Sequence, residues 1–413
     1  MADYDIAVAG AGAVGMSCAL WAQMRGHRVL LADPEPPGSG TSYGNACTLA
    51  TYACLPVNSP SVLTSLPSLM FSKDSPLSLS FAHALRNPRW MLSFLANCRS
   101  GPSRRIAGHL ADLLAHADAG INPLIEAAGA QDLVVERGQL SVWSTERAAE
   151  AATADLELRR ALGVPWREAG PEEAQEMEPG LRLPIKRAVH FHAARHLRDP
   201  LELITRMHRA FTELGGATLQ APVEAVRASD SGVELRADGQ SLTAGRAVIA
   251  SGAFSKRIEG AGTENLPLGT ERGYHLMFKD EAHRVTRPVG WGEAGFYAVP
   301  HAQGLRLTGT VEIAALEAPV NQRRLAYIAR KGAEMLGDLP KPDSEWLGYR
   351  PTMPDSLPVI GPSPKSDRVL YAFGHQHIGL TLGGITGRLI ADLAEGRQPN
   401  IDLAPFAADR AYA

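Results

Sequence analysis

One stretch near the start of the chain restricts the fold more than any other: IAVAGAGAVGMSCALWAQMRGHRVLLADPEPPG, residues 6–38. Residues 4–9 predict a short buried strand, residues 14–25 repeat apolar side chains at helical spacing, and residues 28–32 predict a second strand that Asp33 follows. The turn before the helix carries three glycines with the spacing G-x-G-x-x-G, which are Gly10, Gly12 and Gly15. The stretch therefore predicts a strand–turn–helix–strand unit of the kind that binds a dinucleotide.

Each part of this unit has a physical role in dinucleotide binding. The first glycine permits a tight turn, the second lets a pyrophosphate approach bare backbone, and the third lets the helix pack on the strand. The phosphates then meet free N–H groups at the positive end of the helix. Asp33 can accept hydrogen bonds from both ribose hydroxyls and would repel a 2′-phosphate, which disfavours NADP. A glycine-rich turn without a ligand is the alternative, and the motif alone does not choose between FAD and NAD.

The residues after Asp33 favour FAD. The segment PEPPGSGTSYGNACTLA, residues 34–50, is a loop with the small polar residues Thr41, Ser42 and Asn45. An NAD-binding unit would normally continue directly into more alternating helix and strand. Hydroxyl and N–H groups of such a loop can lie along a second phosphate and a flavin edge. A solvent-exposed loop of the same composition is the alternative.

Two later segments predict further turns of small residues beside the same cofactor. A buried strand at residues 247–250 ends in Ser251-Gly252. A strand at residues 369–373 is followed by a glycine-rich turn and by a helix that we expect to begin near Gly383-Gly384. A helix N-terminus without bulky side chains can direct its N–H groups at the N1/O2 edge of a flavin, where they stabilise the negative charge of the reduced ring.

Composition and charge disfavour several other classes of protein. The 413-residue chain has a formal net charge of −3 with both signs mixed along it, which argues against a nucleic-acid partner. Four cysteines without metal-ligand spacing favour a reducing compartment and no metal. We expect a cytoplasmic protein, since neither a signal peptide nor a bilayer-spanning run is visible. Residues 49–98 are apolar but interrupted by prolines, which predicts short helices over a core or site; shallow contact with the inner face of a membrane is the alternative.

The chain as a whole resembles the D-amino-acid oxidase (DAO) superfamily, and within it the bacterial D-amino-acid dehydrogenases, including D-hydroxyproline dehydrogenases, and the related glycine oxidases. The motifs that carry this resemblance occur in the family's order along nearly the whole chain: AGAGAVG, GTSYGNA, HLRDP, VIASGAFS, TERGYHLMF, LRLTGTVE, GYRPTMPDSLPVIGP and GHQHIGLTLGGITGRLIADL. The resemblance implies an α/β (α+β) protein with a Rossmann-like FAD-binding domain and a substrate domain on a mixed, largely antiparallel sheet.

The resemblance also implies domain limits. We expect a discontinuous FAD domain of residues 1–55, 197–260 and 346–413. The substrate domain, with a helical lid, would then comprise residues 56–196 and 261–345.

The glycine turns, the loop after Asp33 and the resemblance together give a predicted set of FAD-binding residues. We expect non-covalent FAD, because all four cysteines precede Gly101 and none lies in the glycine turn near the end of the chain. Cys47 departs from the family pattern, in which glycine often follows the residues Asn-Ala. The predicted FAD-binding residues are Gly10, Gly12, Ala13, Val14, Gly15, Asp33, Pro34, Thr41, Ser42, Asn45, Ala46, Cys47, Thr48, Val223, Ser251, Gly252, Gly348, Gly379, Leu380 and Thr381.

An amino acid substrate needs a cationic partner for its carboxylate, and two arginines are candidates. The planar donors of arginine match a carboxylate bidentately. Arg350 lies in GYRPTMPD, which the resemblance places near the active site; an ion pair with Asp355 is the alternative. Arg306 shares a strand face with Thr308 and Thr310, and points either into the cavity or to solvent.

Three further residues are candidates for contact with substrate. Tyr274 and His275 lie where the substrate sheet should begin, and a phenol there can bind a carboxylate; a core tyrosine with a satisfied hydroxyl is the alternative. His377 follows the last glycine-rich strand end and is expected near the substrate amine, where a histidine can hold or receive a proton. A histidine bonded to backbone carbonyls is the alternative.

The expected activity is oxidative deamination by hydride transfer from Cα to flavin N5, giving an imino acid that hydrolyses. Small D-amino acids, D-proline and 4-hydroxy-D-proline are the expected substrates, with a quinone, an electron carrier or oxygen as acceptor. Two alternatives stay open: an amine oxidase acting on glycine, sarcosine or another N-methyl amino acid with oxygen, and a non-catalytic nucleotide-binding module.

Overall fold

The computed structural model describes residues 2–63, 77–79 and 85–412. The strands in these residues are β1 Tyr4–Ala9, β2 Val29–Ala32, β3 Thr48–Leu49, β4 Leu77–Leu79, β5 Val134–Val135, β6 Gln139–Trp143, β7 Arg167–Ala169, β8 Arg187–Phe191, β9 Arg195–Leu197, β10 Ala217–Leu219, β11 Val223–Ser229, β12 Gly232–Ala237, β13 Gln240–Ile249, β14 Gly269–Phe278, β15 Val289–Trp291, β16 Phe296–His301, β17 Gly304–Ile313, β18 Ser344–Thr352, β19 Val359–Ser363 and β20 Ser366–Phe373.

The α-helices whose bounds lie within the described residues are α1 Ala13–Met24, α2 Pro88–Asn97, α3 Ser100–Leu114, α4 Ala117–Ala127, α5 Glu146–Ala151, α6 Thr153–Ala161, α7 Pro171–Met177, α8 Pro200–Glu213, α9 Gln322–Leu336 and α10 Gly379–Ala394.

The first sheet contains the predicted strand–turn–helix–strand unit. Its central strands run parallel in the order β10, β2, β1, β13 and β20, with β19 antiparallel at the end and the β11–β12 hairpin extending from β13. Helix α1 connects β1 to β2, and the third motif glycine allows it to pack closely: a Cβ at Gly15 would lie 1.8 Å from the Gly10 carbonyl oxygen. The parallel order brings the carboxyl ends of β1, β2, β13 and β20 to one edge of the sheet.

Helix α10 begins earlier than the sequence predicts, at Gly379 rather than near Gly383-Gly384. The later glycines serve packing instead. A Cβ at Gly383 would lie 3.0 Å from the carbonyl oxygen of Ala13 in α1, and one at Gly387 would lie 2.5 Å from the carbonyl oxygen of Ser17. Small residues on α10 therefore let it lie directly against α1.

The second sheet is mixed and largely antiparallel, in the order β18, β14, β17, β16, β15, β6, β8 and β7. Its parallel pairs are β15 with β6 and β17 with β4. The predicted domain limit at 345/346 falls inside β18, which pairs with β14 over residues 344–352. The end of β18 thus belongs to the second sheet before the chain returns to the first.

The apolar region 49–98 is described only in part. Within it, residues 77–79 form β4 and residues 88–97 form α2, while residues 64–76 and 80–84 lie outside the described residues. Among the helices that the structure describes, none is long and apolar enough to cross a bilayer. All four cysteines are buried free thiols.

Candidate functional site

A cavity of about 700 Å³ lies between the two sheets, where the carboxyl ends of the parallel strands face the antiparallel sheet. The first-sheet side contributes the glycine turn after β1, the loop after β2, the turn after β13 and the start of α10. The second-sheet side contributes residues of β14, β16, β17 and β18. Segments distant in sequence therefore share one site.

The glycine turn presents bare backbone to this cavity. Gly10 has a positive φ of 109°, and a Cβ there would lie 2.5 Å from the carbonyl oxygen of Ala250. The Ala13 N–H donates to Ser42 Oγ at 2.8 Å, which ties the N-terminus of α1 to the loop after β2. Gly12 is the N-cap of α1 and lines the cavity. The turn is therefore suited to an anionic pyrophosphate.

Asp33 lies at the end of β2 with its carboxylate held by backbone. One oxygen accepts from the Ala11 N–H at 2.6 Å and the other from the Glu35 N–H at 2.9 Å. Each carboxylate oxygen can accept a second hydrogen bond, so ribose hydroxyls can still bind. Asp33 and Val223 both line the cavity. This arrangement fits the nucleoside part of a dinucleotide.

The turn before α10 closes the other side of the first-sheet wall. The Gln376 N–H donates to the Pro351 carbonyl at 2.9 Å, and Thr352 and His375 form an isolated bridge, so the turn is fixed to β18. Gly379, the first residue of α10, lines the cavity. A second helix N-terminus therefore directs its dipole at the same space.

Most of the predicted cofactor residues lie on the cavity wall. These are Gly10, Gly12, Ala13, Val14, Asp33, Pro34, Thr41, Ser42, Asn45, Ala46, Thr48, Val223, Ser251, Gly252, Gly348, Gly379 and Leu380.

Three predicted cofactor residues do not line the cavity, and each has another contact. Gly15 packs α1 on the Gly10 carbonyl. Cys47, within the loop after β2, is fully buried, and its Sγ lies 3.6 Å from Arg306 Nη1. Thr381 Oγ1 accepts from the Ala50 N–H at 2.9 Å. These residues support the wall from behind.

The register of β14 on β18 places two glycines beneath two large side chains. It pairs His275 with Trp346, Gly273 with Gly348, and Glu271 with Arg350. A Cβ at Gly273 would lie 2.4 Å from Arg350 Nη2, and one at Gly348 would lie 1.9 Å from the Trp346 ring. Because neither glycine carries a side chain, the Arg350 and Trp346 side chains can lie flat over them, and both side chains line the cavity.

Arg350 is the cationic group of the second-sheet wall. Its Nη1 donates to the Thr310 carbonyl at 3.1 Å, and it lines the cavity. The alternative ion pair does not form, because Asp355 binds Arg410 at 2.7 and 3.0 Å. Burial lowers the pKa of Arg350 and the nearby Glu271 opposes this, while burial raises the pKa of Glu271 to about 7. Among the described residues no carboxylate lies within 4 Å of this guanidinium, so its remaining donors are free for a ligand.

Three other predicted substrate contacts lie away from the cavity. Arg306 is fully buried and donates to the carbonyls of Tyr43 and Asn45, so it points neither into the cavity nor to solvent. Tyr274 lies on the opposite face of β14 from Gly273, and its hydroxyl donates to Glu312 at 2.5 Å. His275 is buried and stacks on Trp346 with ring centroids 5.0 Å apart.

His377 lines the cavity as predicted. Its side chain is exposed towards the cavity. Desolvation, aided by the positive charge of Arg350, lowers the pKa of His377 to about 4. The lowered pKa favours the neutral imidazole, which can accept a hydrogen bond through one ring nitrogen.

Sequence reasoning missed two tyrosines on this wall. Tyr297 on β16 pairs with Thr308 on β17 and lines the cavity, as does Tyr52. Tyr52 stacks on Phe191 with ring centroids 4.4 Å apart, and burial together with a hydrogen bond that its hydroxyl donates to Tyr297 raises its pKa. Period-two alternation along FYAVPH could have placed Tyr297 on a sheet face, but nothing local predicts its nearness to Tyr52.

Comparison with known proteins agrees with this geometry. The family described as DAO, FAD dependent oxidoreductase, matches residues 5–393. A D-amino-acid oxidase of Bradyrhizobium diazoefficiens is 33% identical over 414 residues, covering 98% of each chain. D-amino acid dehydrogenase 2 of Ralstonia nicotianae is 28% identical over 444 residues, covering 98% of this chain and 100% of the relative. Glycine oxidase from Geobacillus kaustophilus has a similar structure, with a TM-score of 0.78, 25% identity and 100% of each chain covered.

Proposed function

Because the chain belongs to the DAO family of FAD-dependent oxidoreductases, we propose that it oxidatively deaminates a small D-amino acid, with D-proline and 4-hydroxy-D-proline as leading substrates. The family resemblance inferred from the motifs is confirmed, as are the α/β fold class and FAD as the cofactor. The preference for the D configuration is supported by the names of the relatives that match along the whole chain.

The main support for this proposal is that the guanidinium of Arg350 lines the cavity. A substrate carboxylate that enters the cavity leaves water and needs a fixed cation in return. Arg350 presents free guanidinium donors there, held by the Thr310 carbonyl and supported by the bare backbone of Gly273. The hydroxyl of Tyr297 lies on the same wall and can add a hydrogen bond to the carboxylate. These groups fix one end of an α-amino acid.

The amine of the substrate must be neutral when Cα loses its hydrogen. The lowered pKa of His377 keeps its ring neutral, so one ring nitrogen can accept a hydrogen bond from the amine. Since a group with this pKa binds a proton weakly at pH 7, His377 orients the amine while water takes the ammonium proton.

FAD, when bound, supplies N5 as the acceptor of the hydride from Cα. The residues Gly10–Val14 and Asp33 would hold its phosphates and ribose, and its ring would lie in the cavity that Arg350 and Trp346 line. We propose that this FAD is non-covalent, since Cys47, the cysteine within the loop after β2, directs Sγ towards Arg306 and does not line the cavity.

Two alternatives differ from this proposal in substrate and acceptor. An oxidase acting on glycine or sarcosine would use the same carboxylate contact and would consume oxygen. A dehydrogenase would pass electrons to a quinone or to an electron carrier. A non-catalytic module is disfavoured, because the cavity is open and, among the described residues, no carboxylate forms an ion pair with Arg350 within 4 Å.

An anaerobic bleaching screen tests the proposal. The purified holoenzyme is mixed with matched D- and L-amino acids, glycine, sarcosine and both hydroxyproline epimers, and flavin absorbance near 450 nm is followed. We expect small D-amino acids to bleach the flavin and their L enantiomers not to. Bleaching by glycine or sarcosine alone would support the oxidase instead. Oxygen uptake measured with the same substrate then separates oxidase from dehydrogenase.

A further inference from the structure

Arg306 is a buried cation directly behind the loop that follows the first glycine turn. The side chain is fully buried, and Nη1 donates to the carbonyls of Tyr43 at 2.9 Å and of Asn45 at 3.0 Å. Nη2 lies 3.2 Å from His301 Nε2, and the guanidinium lies over the Tyr43 ring at 5.3 Å. Among the described residues no carboxylate lies within 4 Å of it. A buried guanidinium without an acid partner is costly, so the contacts that it makes are informative.

The two carbonyls that Arg306 binds fix the direction of two N–H groups. In a trans peptide the carbonyl and the N–H of the same unit point in opposite directions. The Tyr43 carbonyl shares its peptide with the Gly44 N–H, and the Asn45 carbonyl shares its peptide with the Ala46 N–H. With both carbonyls turned towards Arg306, both N–H groups point to the other side of the loop.

That other side is the cavity. Gly44 and Ala46 both line it. In the described part of the chain neither N–H has a hydrogen-bond partner, whereas the neighbouring Cys47 N–H donates to Asn45 Oδ1 at 2.7 Å. Backbone N–H groups that lack a protein partner and line a cavity can donate hydrogen bonds to a bound ligand.

We propose that Arg306 is a positioning residue that holds the Gly44 and Ala46 N–H groups as hydrogen-bond donors to the polar edge of the flavin. The buried positive charge and the two aligned N–H groups make this wall electropositive. They therefore favour the flavin forms that carry negative charge, which are the reduced ring and its sulfite adduct. This inference rests on FAD binding and not on the identity of the amino acid.

Arg272 provides a matched control within the same sheet. It is also buried, and its Nη2 donates to two carbonyls, those of Ala318 at 2.7 Å and Pro319 at 3.0 Å. It differs in that Glu312 neutralises it and its carbonyls lie outside this cavity. Loss of Arg272 should therefore cost stability without changing the flavin.

The test compares Arg306→Met, Arg306→Lys and Arg272→Met with the wild type. Apoprotein is titrated with FAD by flavin fluorescence, and the holoenzymes are titrated with sulfite by absorbance. We expect Arg306→Met to raise the dissociation constants of FAD and of sulfite at least tenfold. Arg306→Lys, which keeps the charge but loses the planar fork, should recover part of both losses, and Arg272→Met should stay within twofold. FAD and sulfite constants within twofold of wild type in Arg306→Met would overturn the proposal.

A measurement on the unmodified protein covers the case in which Arg306→Met does not fold. Hydrogen exchange at the Gly44 and Ala46 amides is compared in apoprotein and holoenzyme. We expect FAD to slow exchange at both amides. Unchanged exchange at both would overturn the proposal, and neither readout depends on which amino acid the enzyme oxidises.

Discussion

Replacing Arg350 by methionine tests the carboxylate contact directly. Methionine keeps the length and apolar stem of arginine but removes the guanidinium. One Nη1 donor is used by the Thr310 carbonyl, which leaves donors for a bidentate carboxylate contact. Removing one partner of a buried, hydrogen-bonded charge pair costs about 2–4 kcal/mol. We therefore expect kcat/KM for the preferred amino acid to fall roughly 30- to 900-fold, mainly through KM.

The control for this prediction is a substrate without a carboxylate. If D-proline is oxidised, pyrrolidine presents the same ring amine but has nothing for Arg350 to bind. Steady-state kinetics of both compounds should show a large loss for D-proline and little change for pyrrolidine in Arg350→Met. Equal losses for both would mean that Arg350 acts on the fold or on the flavin. An unchanged KM for D-proline would indicate that Tyr297, rather than Arg350, binds the substrate carboxylate.

Three further predictions follow from the same geometry. Cys47 has a φ of 58°, a left-handed conformation that glycine adopts without strain. In urea titrations the free energy of unfolding of Cys47→Gly should therefore exceed that of Cys47→Ala by about 0.5–1 kcal/mol, although glycine is usually the less stabilising of the two residues. Tyr297→Phe should raise KM roughly tenfold to a hundredfold without changing the melting temperature, since a hydrogen bond to a charged group contributes about 1.5–3 kcal/mol. Burial lowers the pKa of several histidines from 6.5, so the unfolded chain binds protons first as pH falls. The free energy of unfolding, measured with urea, should therefore decrease between about pH 6.5 and pH 4, and a flat profile would contradict the assigned burial of His196, His275, His301 and His375.

The cofactor half of the site could be predicted because backbone recognition leaves local marks in a sequence. A turn that must approach a phosphate needs glycine at Gly10 and Gly12, and the strand that follows places Asp33 at a fixed distance along the chain. The same reasoning misplaced the start of α10. Glycines occur in this segment both at the start of the helix and where the helix packs on α1. The contact of Gly383 with α1 shows that this glycine serves packing, and the sequence alone does not distinguish the two cases.

The substrate half depends on contacts that no single segment contains. Alternation along β17 correctly places Arg306 and Thr308 on one face, since both pair with residues on the same face of β14. Thr308 reaches the cavity, but the loop of residues 43–47 lies over Arg306 and takes its donors. That loop is more than 250 residues away in sequence, so strand periodicity could not predict whether the arginine meets a ligand or a backbone.

Register is what turns these separated residues into a site. The pairing of β14 with β18 places Glu271 opposite Arg350 and the two glycines opposite each other, and the turn before α10 is fixed to the same strand through Pro351. A slip of one residue would move Arg350 to the face that holds Tyr274, away from the cavity. The arginine of the motif GYRPTMPD therefore lines the cavity only because β18 pairs with β14 in this register. The proposed substrate contact at Arg350 therefore depends on sheet pairing, whereas the predicted cofactor contacts depend on local turns.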